Sequence, residues 1–329
     1  MTLRGTERST HTPRHSVRRS SALVAVSAVG VTTAVLLATL VDTPLTRTLS
    51  GYCDDLGSAL ALGLTTIMLI GRRTPSSDSG REKERAWLAL AAVACFWAVA
   101  GLASLWVSTG DAVGRSLLTL TAGDVEAALH VITPAQVALG QVVAAVVVTG
   151  IAVDTYRGGQ GWSPWTVWTT ALVTTAVGGL GGHSGSGPAA VVAAVHLVAA
   201  ALWFGPLAAA IVVVRGDRAW ARFLATHTRV AFWCAVVTAA SGITLAVLRL
   251  DTPRSLVDDD YGRLLVVKAA VLLVVVLAAR RLRRVWVGPS QTGGGGPDEL
   301  SVRRAAGHSL LVITATAAAA VLSGTPPPA

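Results

Sequence analysis

Nine apolar runs, separated by polar or charged connections, set the pattern of this chain. A membrane-spanning helix needs roughly 17 to 25 apolar residues to cross about 30 Å of hydrocarbon, and these runs approach or reach that length. They are too long for the strands of a transmembrane barrel and lack its alternation of apolar and polar residues. The pattern predicts an all-α, polytopic transmembrane helical bundle of about nine spans, with eight as the alternative. The predicted spans are 21–41, 55–70, 86–107, 136–153, 165–182, 189–214, 229–250, 264–279 and 305–322.

Composition supports the same class of protein. Of the 329 residues, 52% are hydrophobic and only 14% are charged, whereas soluble domains usually contain about 25% charged residues. The connections between the runs are too short for a separate soluble domain. The first run, roughly 20 residues long, exceeds the 7 to 15 apolar residues of a signal peptide and is interpreted as an uncleaved anchor.

The net charge of +9 is distributed as in a membrane protein rather than a nucleic-acid-binding one. Most of the 27 basic residues fall before the first span or in the connections after every second span. This asymmetry is typical of cytoplasmic loops. It predicts a basic cytoplasmic N-terminus over residues 1–20, a multi-pass topology, and, after nine crossings, a C-terminus outside.

The first candidate for chemistry is His196, which lies inside the predicted span 189–214. An ionisable side chain at that depth is costly, so it indicates a functional site by default. Trp203 follows seven residues later and projects from nearly the same helix face. Because neutral imidazole is a common ligand of transition metals, His196 is a candidate metal ligand. The alternative is a structural histidine that is hydrogen-bonded to a neighbouring helix.

Two further histidines fall in connections predicted to lie outside. His183 is in the glycine-rich segment GGLGGHSGSG, whose backbone can fold tightly around an ion. His130, with Glu126, is in the connection 108–135, where leucines at 117, 118 and 120 indicate a short interfacial helix. Both histidines are candidate metal ligands, and an exposed loop histidine is the alternative for each.

Charged residues near the outer ends of the later spans complete the candidate set. Asp258, Asp259 and Asp260 would concentrate cations at the outer surface, and the alternative is an ordinary solvated loop. Lys268 lies a few residues into the eighth predicted span. It either extends its ammonium group to the interface or contacts a carboxylate or a substrate anion inside the bundle.

Missing motifs narrow the function further. The sequence has no Walker motif, so ATP-driven pumping is not predicted. It contains no intramembrane CPC pair and only two methionines. A ladder of thioether ligands, which suits Cu(I), is therefore excluded. No enzyme activity is predicted.

The second half of the chain resembles the copper resistance protein D (CopD) family of bacterial inner-membrane proteins. The resemblance depends on five segments that occur in the family's order and spacing, and it covers residues 178–328, following N-terminal spans at 21–177. Those segments are GGH ending at His183, HLVAAALWFGPL from His196, Thr228–Ala231 followed by Ser241-Gly242, YGRLLVVK from Tyr261, and Thr325-Pro326-Pro327.

The resemblance implies copper transport, directed inward, across the bacterial cytoplasmic membrane. It also implies a small periplasmic copper-binding protein as a partner on a separate chain. The sequence departs from the family at Pro206, where a glycine is usual, and at His227, where a phenylalanine is common. Because proline removes a backbone hydrogen bond, a kink is expected just below His196.

These observations combine into one mechanism and two alternatives. The outer acids and His183 gather the copper ion, His196 receives it, Trp203 shields it, and Lys268 acts as a gating or structural charge. The first alternative is a haem-binding membrane electron carrier with histidine axial ligands. The second is a non-transporting assembly factor for copper delivery.

Overall fold

The protein is described here by a computed structural model. It describes residues 45–71, 79–131, 133–181, 187–214 and 217–249, and scattered helical residues between 262 and 277. The described residues form helices and turns with no strand, which confirms the all-α class. Seven helices are α1 (Leu45–Gly71), α2 (Ser79–Val113), α3 (Ala122–Val131), α4 (Thr133–Tyr156), α5 (Pro164–Gly181), α6 (Pro188–Val213) and α7 (Asp217–Arg249).

Five of the described helices are long and apolar enough to cross a membrane: α1, α2 from Lys83, α4, α6, and α7 between Arg222 and Leu248. Their presence confirms a membrane bundle. The predicted runs 86–107, 136–153, 165–182, 189–214 and 229–250 lie on α2, α4, α5, α6 and α7. The run 264–279 overlaps a short apolar helix, Leu265–Val274. The runs 21–41 and 305–322 lie outside the described residues.

Helix α1 begins ten residues before the predicted span 55–70. Its first turns are polar, so hydropathy places the start of the apolar run too late. Tertiary packing nevertheless buries Thr48, Ser50 and Asp54 on this segment. The added turns bring a carboxyl group into the bundle that the predicted boundary left outside.

The predicted short helix between the third and fourth runs exists, but it lies further along the chain. Leucines 117 and 118 lie in a turn after α2, and the helix is α3. Its start is fixed by a capping box. The Thr121 backbone N–H donates to Oδ2 of Asp124 at 2.8 Å, and the Asp124 N–H donates to Oγ1 of Thr121 at 3.3 Å.

The core forms where α1 meets α2, α5 and α6. Small residues let these backbones approach closely, as bundles in lipid require. A Cβ atom added to Gly63 of α1 would lie 2.1 Å from the carbonyl of Gly205 in α6. Helices α1 and α6 therefore cross at Gly63 and Gly205 in direct backbone contact. At the far end of α1, Nε1 of Trp168 in α5 donates to Oγ1 of Thr66 at 3.0 Å.

At the opposite end of α1, an ion pair ties α1 to α2. The Arg47 guanidinium lies 2.5 Å from Oδ2 of Asp111. We call this end of the bundle the Arg47 end. Because α6 starts on the same side, His196 lies about 12 Å from that side, at 1.5 Å per residue from Pro188.

Candidate functional site

His196 is half-buried on α6 and faces α7. Its Nδ1 lies 3.0 Å from Oγ of Ser241. The Ser241 hydroxyl also lies 2.6 Å from the carbonyl oxygen of Val237. A hydroxyl has one proton, and a carbonyl oxygen can only accept, so that proton is directed to Val237. Oγ of Ser241 therefore accepts a hydrogen bond from Nδ1–H of His196.

This hydrogen bond determines which ring nitrogen can bind a metal. The tautomer is assigned from the hydrogen-bond network. With the proton on Nδ1, Nε2 of His196 is the unprotonated ring nitrogen, which is the form that a metal ion requires. A second partner that holds the far nitrogen of a histidine is the usual support for a metal ligand, because it fixes both the tautomer and the orientation of the ring.

Gly242 gives the imidazole ring a flat surface on α7. A Cβ atom added there would lie 3.4 Å from Cε1 of His196 and 3.7 Å from Nδ1. Ser241 and Gly242 were both part of the sequence resemblance, as was His196. The structure brings these two segments, 45 residues apart along the chain, into contact.

Trp203 is only 6% exposed and belongs to the main apolar core with Phe204 and Leu62. Packing in this core holds Trp203 in place on α6, the helix that also carries His196. Helix α6 continues without a break through Pro206 to Val213. Pro206 lies at the crossing with α1, where its nitrogen would be 2.6 Å from a Cβ atom on Gly63.

His130 is exposed in the last turn of α3, beyond the helices that form the core. Among the described residues, no group of three or more His, Cys, Asp or Glu side chains is close enough to hold a metal ion. His130 and His196 therefore do not form such a group with other described side chains. His183, Asp258, Asp259, Asp260 and Lys268 lie outside the residues whose side chains the structure describes.

His227 lies on α7 itself, and its surroundings differ from those of His196. It is buried and stacks on Phe223 one turn earlier, with ring centroids 5.1 Å apart and an interplanar angle of 11°. Along α7 it lies about 21 Å from Ser241, at 1.5 Å per residue. His227 therefore lies at a very different depth from the contact between His196 and Ser241.

Two buried polar residues of the spans were missed by sequence reasoning. Asp54 of α1 is 5% exposed, and Gln141 of α4 is 6% exposed. The sequence did contain a signal for Asp54, namely a carboxylate immediately before an apolar run. The predicted boundary at residue 55 assigned that carboxylate to the connection.

Residues 221–323 match the family model described as CopD, copper resistance protein D. No curated protein and no solved structure matches the chain. The match confirms the resemblance over this segment and includes Ser241 and Gly242, whereas His196 lies before it. Together with the apolar helices, the match supports a multi-pass membrane protein with a segment similar to the CopD family. The description of that family points to copper resistance.

Proposed function

We propose that the protein transports copper ions inward across the bacterial cytoplasmic membrane and that His196 binds the ion during passage. The observation that carries the proposal is the hydrogen bond between His196 and Ser241. It fixes the orientation and tautomer of an intramembrane imidazole, and it connects that histidine to the segment that matches the copper resistance family.

The orientation of the remaining parts of the mechanism follows from the distribution of basic residues along the chain. The basic N-terminus lies in the cytoplasm, and the Arg47 end faces outside. His183, His130 and the carboxylates at 258–260 gather copper there, as a separate periplasmic copper-binding protein delivers it. Trp203 shields the ion below His196, and Lys268 acts as the gating charge. Copper is the cargo in this mechanism.

The first experiment is metal analysis of the purified protein in detergent, with a visible spectrum. We expect the wild type to bind copper after loading and His196→Ala to lose it. The matched control is His227→Ala, which removes a buried histidine near the other end of α7 and should retain copper. Copper binding that is equal in all three proteins would contradict the role of His196.

Flux measurements separate transport from delivery. Proteoliposomes that contain a copper-sensitive dye should report uptake with the wild type and His227→Ala, and none with His196→Ala. No flux with any protein, together with a stable partner on pulldown, would favour the assembly factor. A Soret band in the purified protein would favour the haem carrier, whose second axial ligand is not His227, because that residue lies at a different depth.

A further inference from the structure

Asp54 is a carboxyl group buried inside the bundle that the copper mechanism does not use. It lies on α1 seven residues after Arg47, about 10 Å further into the bundle at 1.5 Å per residue. The residue is 5% exposed. Among the described residues, no donor forms a hydrogen bond of regular geometry with its Oδ1 atom.

Helix α2 forms the surface against which this carboxyl packs. A Cβ atom added to Gly101 would lie 3.5 Å from Oδ1 of Asp54, so the glycine leaves room for the oxygen. Trp97, one turn before Gly101 on α2, places its indole ring beside the same carboxyl group. Trp97 is fully buried and packs tightly on Gly57 of α1, where a Cβ atom would lie 2.7 Å from Cβ of Trp97.

The same arrangement occurs three times in the described part of the bundle. In each case a polar side chain of one helix packs against a glycine of another. The distances from an added glycine Cβ atom to the nearest polar-side-chain atom are 3.5, 2.7 and 3.4 Å. We call these six residues the polar layer: Asp54 with Gly101, Gln141 with Gly178, and His196 with Gly242.

Neighbouring contacts show that the three pairs lie at one level. Gly101 also contacts Val142, the residue after Gln141, and Gly178 also contacts Leu197, the residue after His196. The layer therefore passes through α1, α2, α4, α5, α6 and α7. Asp54 and His196 each precede the residue of their own helix at the α1–α6 crossing, Gly63 and Gly205, by the same number of residues.

Charge near Asp54 is sparse within the described part of the chain. Neither of the ion pairs formed there includes Asp54, because Arg47 pairs with Asp111 and Arg115 with Asp124. Helix α5 has no titratable side chain. Helices α2 and α6 pack against α1. The other titratable or charged side chains described on these three helices are Tyr52, Cys53, Asp55, Lys83, Glu84, Arg85, Cys95 and His196.

A carboxylate without a cation is costly to bury, and binding a proton removes that cost. We propose that Asp54 is a proton-binding site of the polar layer and that it exchanges its proton as copper passes. The exchange is a simple proton equilibrium between the carboxylic acid and the carboxylate. A cation at His196 favours the carboxylate, since charges interact strongly in a medium of low dielectric. In the proposed cycle, Asp54 releases its proton to the outside as copper moves inward.

The proton-binding part of this proposal is tested without copper. Infrared spectra of the protein in lipid vesicles at neutral pH should show the carbonyl stretch of a protonated carboxylic acid. Asp54→Asn should lose that band, and Asp55→Asn, which changes the adjacent residue, should retain it. Asparagine matches the shape of the neutral acid, so thermal unfolding should show Asp54→Asn to be folded. A band that is unchanged in Asp54→Asn would overturn the proposal.

The coupling part rests on the copper transport proposed above and needs a second measurement. Proteoliposomes with a copper sensor and a pH dye inside should show a rise in internal pH as copper enters, because protons leave the vesicle. Asp55→Asn should behave as the wild type, and Asp54→Asn should lose copper-dependent proton movement. Proton movement equal to the wild type in Asp54→Asn would overturn the coupling. An absence of copper flux in the wild type would instead contradict the proposed function, and the infrared result would still decide the proton site.

Discussion

The Ser241 hydroxyl lies 3.0 Å from Nδ1 of His196 and donates its own proton to the backbone of α7. The serine therefore holds the imidazole in the tautomer that is unprotonated at Nε2, the nitrogen that we propose as the copper ligand. It also joins α6 to α7 at the level of the polar layer. A side chain that binds no metal itself thus determines how the candidate ligand is presented.

Removing this hydroxyl should weaken copper binding without removing the histidine. Loss of a partner to the far nitrogen of a ligand typically lowers metal affinity about 10- to 100-fold. We expect Ser241→Ala to show a decrease of that order in a copper titration. Thr244→Ala is the matched control, because Thr244 is exposed on the same helix and bonds only to the carbonyl of Ala240. Equal affinities of the two variants would contradict the role of Ser241.

The crossing of α1 and α6 should be the most sensitive packing contact. A Cβ atom on Gly205 would lie 2.0 Å from the carbonyl oxygen of Ala59, so the two backbones must separate in Gly205→Ala. Overpacking typically costs about 1–3 kcal/mol, and we expect a loss of at least that order in the free energy of unfolding.

A second glycine provides the control for this substitution. Gly150 is exposed on α4 and has nothing within 4 Å of an added Cβ atom. Gly150→Ala should be neutral or stabilise by about 0.5–1 kcal/mol, since alanine loses less backbone entropy than glycine in a helix. Equal unfolding temperatures for both variants in detergent would rule out the close crossing.

The start of α3 should depend on pH. Hydrogen bonds from the backbone and side chain of Thr121, together with Arg115, hold the pKa of Asp124 below its ordinary value of 3.8. A group whose pKa is lowered by folding stabilises the folded form above its ordinary pKa and loses that effect as the pH falls through the lowered value. Protection of the amides at the start of α3 against hydrogen exchange, taken relative to the intrinsic rate at each pH, should therefore decrease below pH 3.8. In Asp124→Asn this protection should already be low at neutral pH.

Trp203 can be tested for a role beyond packing. Trp203→Phe keeps an aromatic ring in the core but reduces its size. We expect faster copper release from this variant at a similar loss of stability to Trp87→Phe, which alters another buried tryptophan of the same core. Copper release rates that match between the two variants would reduce Trp203 to a core residue.

Local composition determined much of the fold. Apolar runs must become helices in lipid, because every backbone polar group has to be satisfied within the segment. The sequence therefore predicted an all-α bundle, the helices that became α2, α4, α5, α6 and α7, and a histidine inside one of them. The resemblance to the CopD family came from short segments of the same sequence, and the family match confirmed it over residues 221–323.

Only the tertiary structure decided what surrounds these residues. Ser241 is far from His196 along the chain, and no local pattern specifies which helix faces which. Asp54 shows the same limit. Its segment is polar by composition, and Asp54 is buried because Trp97 and Gly101 of α2 pack over it. Hydropathy reports the transfer of a segment from water, whereas burial of a polar side chain depends on the neighbours that the fold brings to it.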